Sequence, residues 1–288
     1  LMTHSPYPIK TQTEPTFYFI GVTTTQSSIM KVFPHWTKAL GRPEVRIEGI
    51  DLAPNSDPEL YRQAVAQIKY DALSLGGLVT THKINLLEAA RDMFDHLGHY
   101  AQITHEISSI SKRDGQLEGH AKDPITSGLS MDHVLGKDYF ARTRGHVLSF
   151  GAGGSAHAIA LHLIEKTDKS DQPEKFVIVN RSQKRLDSLQ EMVAEYETDI
   201  EFEFIQNDDP RRNDAIMEAM PAGSVIINAT GMGKDIPGSP ITDAGQFLMN
   251  SVAWELNSRG ELDFMRQASA QQDSHQVLEE DVWLYFVY

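Results

Sequence analysis

The sequence predicts an α/β fold arranged as two domains, and three observations lead to this prediction. The chain has 288 residues with 40% hydrophobic content, enough to bury the cores of two modest domains. Strand-like and helix-like segments alternate in two separate runs, before residue 97 and after residue 146, as in largely parallel sheets covered by helices. A glycine-rich segment joins a strand to a helix at the start of the second run.

The first run predicts three strands alternating with three helices. Its strands are short apolar or alternating segments, and its helices place apolar residues at helical spacing. The predicted strands are 17–22, 45–52 and 76–81, and the predicted helices are 27–40, interrupted at Pro34, 57–74 and 85–97. A hairpin is predicted over 107–120, because Asp114 and Gly115 lie between two short strand-like segments.

The second run repeats the alternation. Its predicted strands are 146–150, 176–180, 200–205 and 224–230, and its predicted helices are 156–166 and 182–196. The segment 254–265 predicts a last strand and the start of a helix that returns to the first domain. We therefore expect residues 1–123 and 257–288 to form the first domain and residues 124–256 the second. We also expect the natural chain to continue past Tyr288.

Composition excludes several classes of function. The formal net charge of −14 argues against a nucleic-acid partner, since such binding requires lysine and arginine to neutralise phosphates. The absence of cysteine excludes disulfides, thiolate metal ligands and a cysteine nucleophile. Five histidines fall on different predicted elements without an H-E-x-x-H motif, so no metal site is expected. They are His96, His99, His105, His120 and His133.

The N-terminus and the hydropathy pattern bear on location. Residues 1–16 lack an apolar core flanked by basic residues, which a signal peptide would have. No segment approaches the ~20 apolar residues that a membrane helix needs. We therefore expect a cytoplasmic protein that does not associate with membranes.

The glycine-rich segment "FGAGGSAHAIA" predicts a dinucleotide-binding domain of the Rossmann type. Gly151, Gly153 and Ala156 form a G-x-G-x-x-A pattern directly after a strand and at the start of a helix. The first glycine allows a tight turn, the next ones let a pyrophosphate approach the backbone, and the alanine allows close packing. The helix N-terminus offers unpaired N–H groups to the phosphates. The predicted cofactor-binding residues of this loop are Gly151, Ala152, Gly153, Gly154, Ser155 and Ala156.

The end of the next strand predicts which dinucleotide is bound. An NAD site usually carries an acidic residue there, which accepts hydrogen bonds from the ribose hydroxyls. This chain has "NRSQKR" instead, with Asn180, Arg181, Ser182 and Arg185. Cations at this place suit a 2′-phosphate, so we expect NADP, with NAD as the less favoured alternative. The other interpretation is a solvated helix start capped by Asn180 or Ser182.

These segments, together with "INATGMG" at 227–233, resemble the shikimate and quinate dehydrogenase family. The resemblance implies that Thr230, Gly231 and Met232 form the loop on the nicotinamide side. It also implies that the first domain binds substrate and that a lysine and an aspartate catalyse. "GLVTTHK" is similar to the family's V-T-x-P-H-K, one residue shorter, and ends at Lys83. "DGQLEGHAKD" is similar to the family's hairpin followed by N-T-D, and ends at Asp123.

The implied pair suits the chemistry of an alcohol oxidoreductase. Hydride transfer to a carbonyl builds negative charge on oxygen, so the site needs a proton donor that accepts the proton in the reverse direction. The ammonium of Lys83 meets that need, and the carboxylate of Asp123 would orient it. The alternative is that both are ordinary surface charges.

The substrate-binding positions depart from the family pattern. The residues implied to contact substrate are Ser27, Thr80, Ser108, Ser109 and Asp281. Ile29 replaces the second serine of the family's S-x-S, Ala121 replaces an asparagine, and Asp281 stands where the family has glutamine. Losing several hydrogen-bonding groups together predicts a different substrate. We expect a small polyhydroxylated ring or sugar-like alcohol, or its ketone, less acidic than shikimate.

The sequence leaves the oligomeric state and one alternative function open. The assembly is expected to be a monomer or a homodimer. The alternative to an enzyme is a non-catalytic sensor that binds NADP or a metabolite and signals to a partner.

Overall fold

A computed structural model describes residues 4–234 and 236–281 of the chain. The chain divides into two compact units, Leu1–Lys122 and Asp123–Tyr288. Each unit contains a six-stranded sheet. Helices alternate with strands in both units, which confirms the predicted α/β class.

The first unit is built on a mixed sheet. Its strands are β1 (Thr16–Gly21), β2 (Arg46–Asp51), β3 (Ser74–Val79), β4 (His96–Leu97), β5 (Ser109–Arg113) and β6 (Gln116–His120). Its helices are α1 (Ile29–Ala39), α2 (Pro58–Tyr70), α3 (Lys83–Ala90) and α4 (His99–Thr104). The strand order is β2-β1-β3-β5-β6-β4. β1 runs parallel to β2 and β3, and the predicted hairpin β5–β6 joins β3 in antiparallel pairing.

Two elements of the first unit differ from the prediction. Helix α1 continues through Pro34 instead of breaking there. Packing keeps this helix on the sheet, because the ring of Phe33 stacks on that of Phe17 in β1 with centroids 5.1 Å apart. The helix predicted over 85–97 ends at Ala90, because the chain then turns and pairs Leu97 with Gly119 at the sheet edge.

The second unit is built on a parallel sheet. Its strands are β7 (Val147–Phe150), β8 (Lys175–Asn180), β9 (Glu201–Gln206), β10 (Val225–Asn228), β11 (Val252–Glu255) and β12 (Leu278–Glu280). Its helices are α5 (Asp123–Leu135), α6 (Tyr139–Thr143), α7 (Gly154–Ile164), α8 (Gln183–Ala194), α9 (Pro210–Glu218), α10 (Asp263–Ser269) and α11 (Gln272–His275). The strand order is β12-β11-β10-β7-β8-β9. Counted within this unit, that is the 3-2-1-4-5-6 order of dinucleotide-binding sheets.

The C-terminal segment differs from the predicted domain division. We expected 257–288 to join the first domain, but residues 257–281 lie in the second unit. Strand β12 pairs with β11 and completes the parallel sheet, and Val277 is buried in the core of this unit. Residues 282–288, where we expected a helix returning to the first domain, lie outside the described residues. A helix at Asp123–Leu135, which the pattern did not predict, opens this unit.

Within the described ranges, 4–234 and 236–281, no helix is long and apolar enough to cross a membrane.

Candidate functional site

The glycine loop of the second unit needs glycine at position 151 for two reasons. Gly151 follows β7 with a φ of +110°, a backbone conformation that residues with a side chain rarely adopt. A Cβ atom there would lie 2.4 Å from the carbonyl oxygen of Ala229, at the end of the neighbouring strand. Gly153 then caps helix α7, which begins at Gly154. The loop therefore brings two strand ends and a helix N-terminus close together.

Arg185 lies against this loop. A Cβ atom on Gly153 would stand 3.3 Å from the Nη1 atom of Arg185. The N-terminus of α7 presents N–H groups and a partial positive charge on the same loop. A guanidinium and a helix N-terminus next to each other form a binding place suited to phosphate groups.

A cleft opens along the carboxyl ends of β7, β8, β9 and β10. The predicted cofactor-binding residues that line it are Gly151, Ala152, Gly153, Asn180, Arg181, Arg185, Thr230, Gly231 and Met232. The remaining predicted residues lie beside the cleft, not on its lining: Gly154, Ser155 and Ala156 in the first turn of α7, and Ser182 at the cap of α8. The structure therefore brings the loops after three strands of the predicted site together.

Sequence reasoning missed the part of the cleft that follows β9. The lining also includes Asn207, Asp208, Pro210 and Asn213. These residues have no motif of their own. The signal that could have found them is topological, since the loops after neighbouring parallel strands meet at one edge of the sheet.

His157, in the first turns of α7, hydrogen-bonds the glycine loop. Its Nδ1 lies 2.8 Å from the carbonyl oxygen of Gly153, and its Nε2 lies 3.4 Å from the hydroxyl of Ser188 on α8. Burial lowers the pKa of His157, the hydrogen bond to Gly153 opposes this effect, and the nearby charge of Arg185 lowers the pKa further. The ring is therefore neutral near pH 7 and donates from Nδ1 to the loop.

The loop after β10 is held by hydrogen bonds of its own. The N–H and the hydroxyl of Thr230 donate to Oδ1 of Asn228 at 3.2 and 2.6 Å. The N–H of Met232 donates to the hydroxyl oxygen of Thr230 at 3.1 Å. The three residues that we expected on the nicotinamide side thus have a fixed backbone at the cleft.

In the first unit, a tight turn sets the start of the helix that carries Lys83. The N–H of His82 donates to the carbonyl oxygen of Thr80 at 2.5 Å, and Thr81 between them has a φ of +60°. This is a γ-turn with positive φ, a rare and strained conformation. Lys83 follows directly as the first residue of α3.

Ser108 accepts hydrogen bonds from two backbone segments of the first unit, the end of β3 and the segment after β6. Its carbonyl oxygen accepts from the N–H of Val79 at 2.8 Å, and its hydroxyl oxygen accepts from the N–H of Lys122 at 2.9 Å. Ser108 is buried, with 4% of its surface exposed. We expected it to contact substrate, but its hydroxyl is used inside the unit, where it holds the backbone that leads into Asp123.

The other predicted substrate-binding residues fall in two places. Ser27 follows β1, Thr80 follows β3, and Ser109 opens β5, where it pairs with Leu78 and His120. All three are partly exposed at the end of the first sheet where β1 and β3 finish and β5 begins. Asp281 belongs to the second unit, directly after β12. Its carbonyl oxygen accepts from the indole N–H of Trp254 at 3.1 Å. Asp123 opens helix α5 of the second unit.

His82, in the segment that ends at Lys83, is a further residue to which the sequence motif gives no role. It is 1% exposed, and its Nδ1 lies 3.2 Å from the hydroxyl of Tyr61. It therefore anchors the turn before Lys83 in the core of the first unit. Among the residues that the structure describes, no group of three histidine or acidic side chains is arranged to hold a metal ion.

The strand order of the second unit, its glycine loop and the arginines after its second strand define a two-unit α/β protein with a Rossmann-type domain. The chain is 29% identical over 203 residues to the shikimate dehydrogenase (NADP(+)) of Symbiobacterium thermophilum, which covers 69% of this chain and 62% of that protein. It is 30% identical over 213 residues to the protein of the same name from Xanthomonas campestris pv. campestris, which covers 71% of this chain and 65% of that protein. These similarities support the resemblance to the shikimate/quinate dehydrogenase family. The chain's matches span less than two thirds of the length of these relatives.

Solved structures share the fold. The shikimate 5-dehydrogenase of Listeria monocytogenes, solved with shikimate and NAD, superposes with a TM-score of 0.70 at 15% identity, over 96% of this chain and 88% of that one. The 5-ketofructose reductase of a Gluconobacter strain superposes with a TM-score of 0.65 at 16% identity, over 95% of this chain and 89% of that one. At these identities the likeness is one of fold. No model of a known protein family matches the chain.

Proposed function

We propose that this protein is an NADP-dependent oxidoreductase that transfers a hydride between the nicotinamide and a carbon bearing a hydroxyl group, or the corresponding ketone. The observation that carries the proposal is the cleft of the second unit, where the glycine loop lies beside Arg181 and Arg185. The names of the curated relatives support the same cofactor and reaction class.

The chemistry of the cleft fits a phosphorylated dinucleotide. The backbone at Gly153 is open except for Arg185, and a Cβ at Gly231 would meet nothing within 4 Å, so both leave room for a ligand to approach the main chain. Arg181 and Arg185 are exposed on the lining, where a 2′-phosphate would pair with them. Asn180 occupies the place where an NAD site carries a carboxylate, which makes NAD the weaker candidate.

In this proposal the first unit supplies the proton. When bound, the nicotinamide supplies or accepts the hydride. The ammonium of Lys83 donates a proton to the oxygen that gains charge during reduction, and Lys83 accepts that proton during oxidation. Asp123 is the proposed carboxylate of the catalytic pair. The γ-turn at Thr81 sets the position of Lys83, and Ser108 holds the backbone before Asp123.

The proposed substrate is a small polyhydroxylated ring or sugar-like alcohol, or its ketone, other than shikimate. Ile29 stands where the family has a serine, and an isoleucine side chain has no hydroxyl to offer a substrate carboxylate. It is also buried, with 4% of its surface exposed. Ser27, Thr80 and Ser109 are partly exposed and remain the proposed substrate contacts of the first unit. Asp281 is proposed to accept hydrogen bonds from substrate hydroxyls, because a carboxylate cannot donate as an amide does.

The protein is proposed to act in the cytoplasm as a monomer or homodimer. No observation favours the alternative of a non-catalytic sensor.

The proposal is tested by incubating the purified protein with cyclic polyols, hydroxy acids and their ketones. Each compound is paired with NADP(H) and NAD(H), and the absorbance of the reduced nicotinamide is followed. We expect turnover with NADP(H), its loss in Lys83→Ala, and unchanged NADPH binding by that variant. Lys38→Ala, at an exposed lysine of α1, is the matched control. NADPH binding without turnover across the panel, and no change in Lys83→Ala, would contradict the proposal.

A further inference from the structure

Glu255 is a buried carboxylate behind the cleft of the second unit. It is the last residue of β11, and its exposed fraction is 0%. The side-chain amide of Asn228 donates to its two oxygens at 2.9 and 3.2 Å. The backbone N–H and the side-chain amide of Asn257 each donate to Oε1 at 2.8 Å. Two asparagines from neighbouring segments therefore enclose one acidic group.

These contacts suit the ionised form of Glu255. Each one places an N–H donor against a carboxylate oxygen, whereas a protonated acid would need an acceptor for its own hydrogen. Burial raises the pKa of Glu255, and the donors on Asn257 and Asn228 oppose that rise without cancelling it, so the charged form is supported by the geometry of the four donor contacts. The arrangement is built to keep a negative charge inside the unit.

The same asparagines connect this charge to the loop after β10. Asn228 donates to Glu255 through its amide nitrogen and accepts from Thr230 through its amide oxygen. The side-chain nitrogen of Asn257 also lies 2.9 and 3.2 Å from the carbonyl oxygens of Thr230 and Met232, so its two hydrogens are shared among these oxygens and Glu255. Thr230, Gly231 and Met232 line the cleft. The loop at the proposed nicotinamide end is thus anchored on a buried anion.

We propose that Glu255 is a positioning residue whose charge makes the cleft favour the oxidised cofactor over the reduced one. The inference rests on the proposed function, in which this loop lies on the nicotinamide side. The oxidised ring carries a positive charge that the reduced ring lacks, while the rest of the cofactor is the same. Water and salt screen a buried carboxylate less than an exposed one, so its charge acts over a longer range. It therefore stabilises the positively charged oxidised ring more than the neutral reduced ring.

Binding measurements test this without knowledge of the substrate. Dissociation constants of NADP⁺, NADPH and 2′,5′-ADP are measured for the wild-type protein and for Glu255→Gln by fluorescence titration and competition. We expect the ratio of the NADP⁺ constant to the NADPH constant to rise about fivefold in the variant, as one charge acting through an intermediate dielectric would give. Binding of 2′,5′-ADP, which has no nicotinamide, should be unchanged.

Asp214→Asn is the matched control. Asp214 is also a buried carboxylate of the second unit, with 9% exposure, and accepts from the N–H of Thr242 at 2.9 Å. It does not line the cleft. The same change from acid to amide at this position should leave the ratio as in the wild type.

Each other outcome has a definite meaning. An unchanged ratio in Glu255→Gln overturns the inference and leaves the proposed function standing. Equal weakening of all three ligands indicates a structural role only, and also overturns it. Failure of the wild-type protein to bind any of the three overturns the proposed function, and this inference with it.

A second variant keeps the test decisive if Glu255→Gln does not fold. In the double variant Glu255→Gln with Asn228→Asp, the new amide donates to the new carboxylate, so the charge is retained and lies nearer Thr230. We expect the ratio to return to the wild-type value or fall below it. A ratio raised as in the single variant, or above the wild-type value where the single variant cannot be measured, would overturn the electrostatic argument.

Discussion

The Nδ1 atom of His157 lies 2.8 Å from the carbonyl oxygen of Gly153, the residue that caps helix α7. The imidazole therefore ties the start of the helix to the loop that lines the cleft. Burial lowers the pKa of His157 below its usual value of 6.5, the hydrogen bond to Gly153 opposes this, and the charge of Arg185 adds to the lowering. Protonating the ring in the folded protein would keep the hydrogen bond to Gly153 but would bury a second cation beside Arg185, so the stability of this packing depends on pH.

The free energy of unfolding should depend on pH in a way that reflects the lowered pKa of His157. Because the folded pKa lies below 6.5, the unfolded chain binds the proton more readily. The contribution of His157 to folding is thus complete above the unfolded pKa and is lost as pH falls through the folded one. We expect the free energy of unfolding of the wild type, relative to His157→Gln, to decrease as pH falls below about 6.5.

Urea denaturation of both proteins between about pH 5 and about pH 8 measures this difference. His35→Gln, at an exposed histidine of α1, removes the same kind of ring without touching the glycine loop. Its curve should run parallel to that of the wild type. A pH-independent difference between the wild type and His157→Gln would contradict the argument.

Replacing Gly151 by alanine should cost more than the same change at another glycine with positive φ. Gly136 has a φ of +74° and no atom within 4 Å of an added Cβ, so Gly136→Ala should lower the free energy of unfolding by about 1 kcal/mol. Gly151→Ala adds a collision with the Ala229 carbonyl, and we expect a loss above ~3 kcal/mol. Urea denaturation compares the two, and NADPH titration should show lost binding only in Gly151→Ala. Equal costs would mean that the backbone at Ala229 yields easily.

The glycine loop could be predicted from sequence because its requirements are local. A tight turn, a close backbone approach and a helix start each demand a particular residue within a few positions, and Gly151, Gly153 and Ala156 meet them in order. The part of the cleft after β9 could not be predicted in the same way. Asn207 and Asp208 reach the cleft only because β9 pairs with β8, a relation that no short segment encodes.

The place of residues 257–281 in the second unit could not be predicted, for a physical reason of the same kind. A strand of three residues, Leu278–Glu280, is too short for an alternating pattern to distinguish it from a helix or a loop. This segment is a strand because it pairs in parallel with β11. Likewise Ser108 looked like a ligand-binding hydroxyl in the motif, and only the fold shows that Lys122 uses it.

Arg185 and Arg181 should determine the choice between the two dinucleotides. Removing a cation that pairs with a 2′-phosphate removes a charge-assisted hydrogen bond, worth about 1.5–3 kcal/mol. We expect Arg185→Ala and Arg181→Ala each to weaken NADPH binding by about tenfold to 100-fold while changing NADH binding little. Arg142→Ala, at an exposed arginine of α6, is the control and should leave both affinities unchanged. Equal losses for NADPH and NADH would indicate damage to the loop instead of lost phosphate recognition.

The strained turn before Lys83 should matter for turnover more than for stability. Thr81 has a φ of +60° at the centre of a γ-turn, which is unfavourable for a β-branched residue and easy for glycine. In Thr81→Gly the relief of strain and the greater entropy of the unfolded chain oppose each other, so the free energy of unfolding should change by less than about 1 kcal/mol. The looser turn no longer holds Lys83 in one place, and we expect kcat to fall about tenfold with NADPH affinity unchanged. Asp114→Gly, at a φ of +51° in the hairpin, is the matched control and should retain full kcat. A Thr81→Gly variant with wild-type kcat would show that the turn does not position the proposed proton donor.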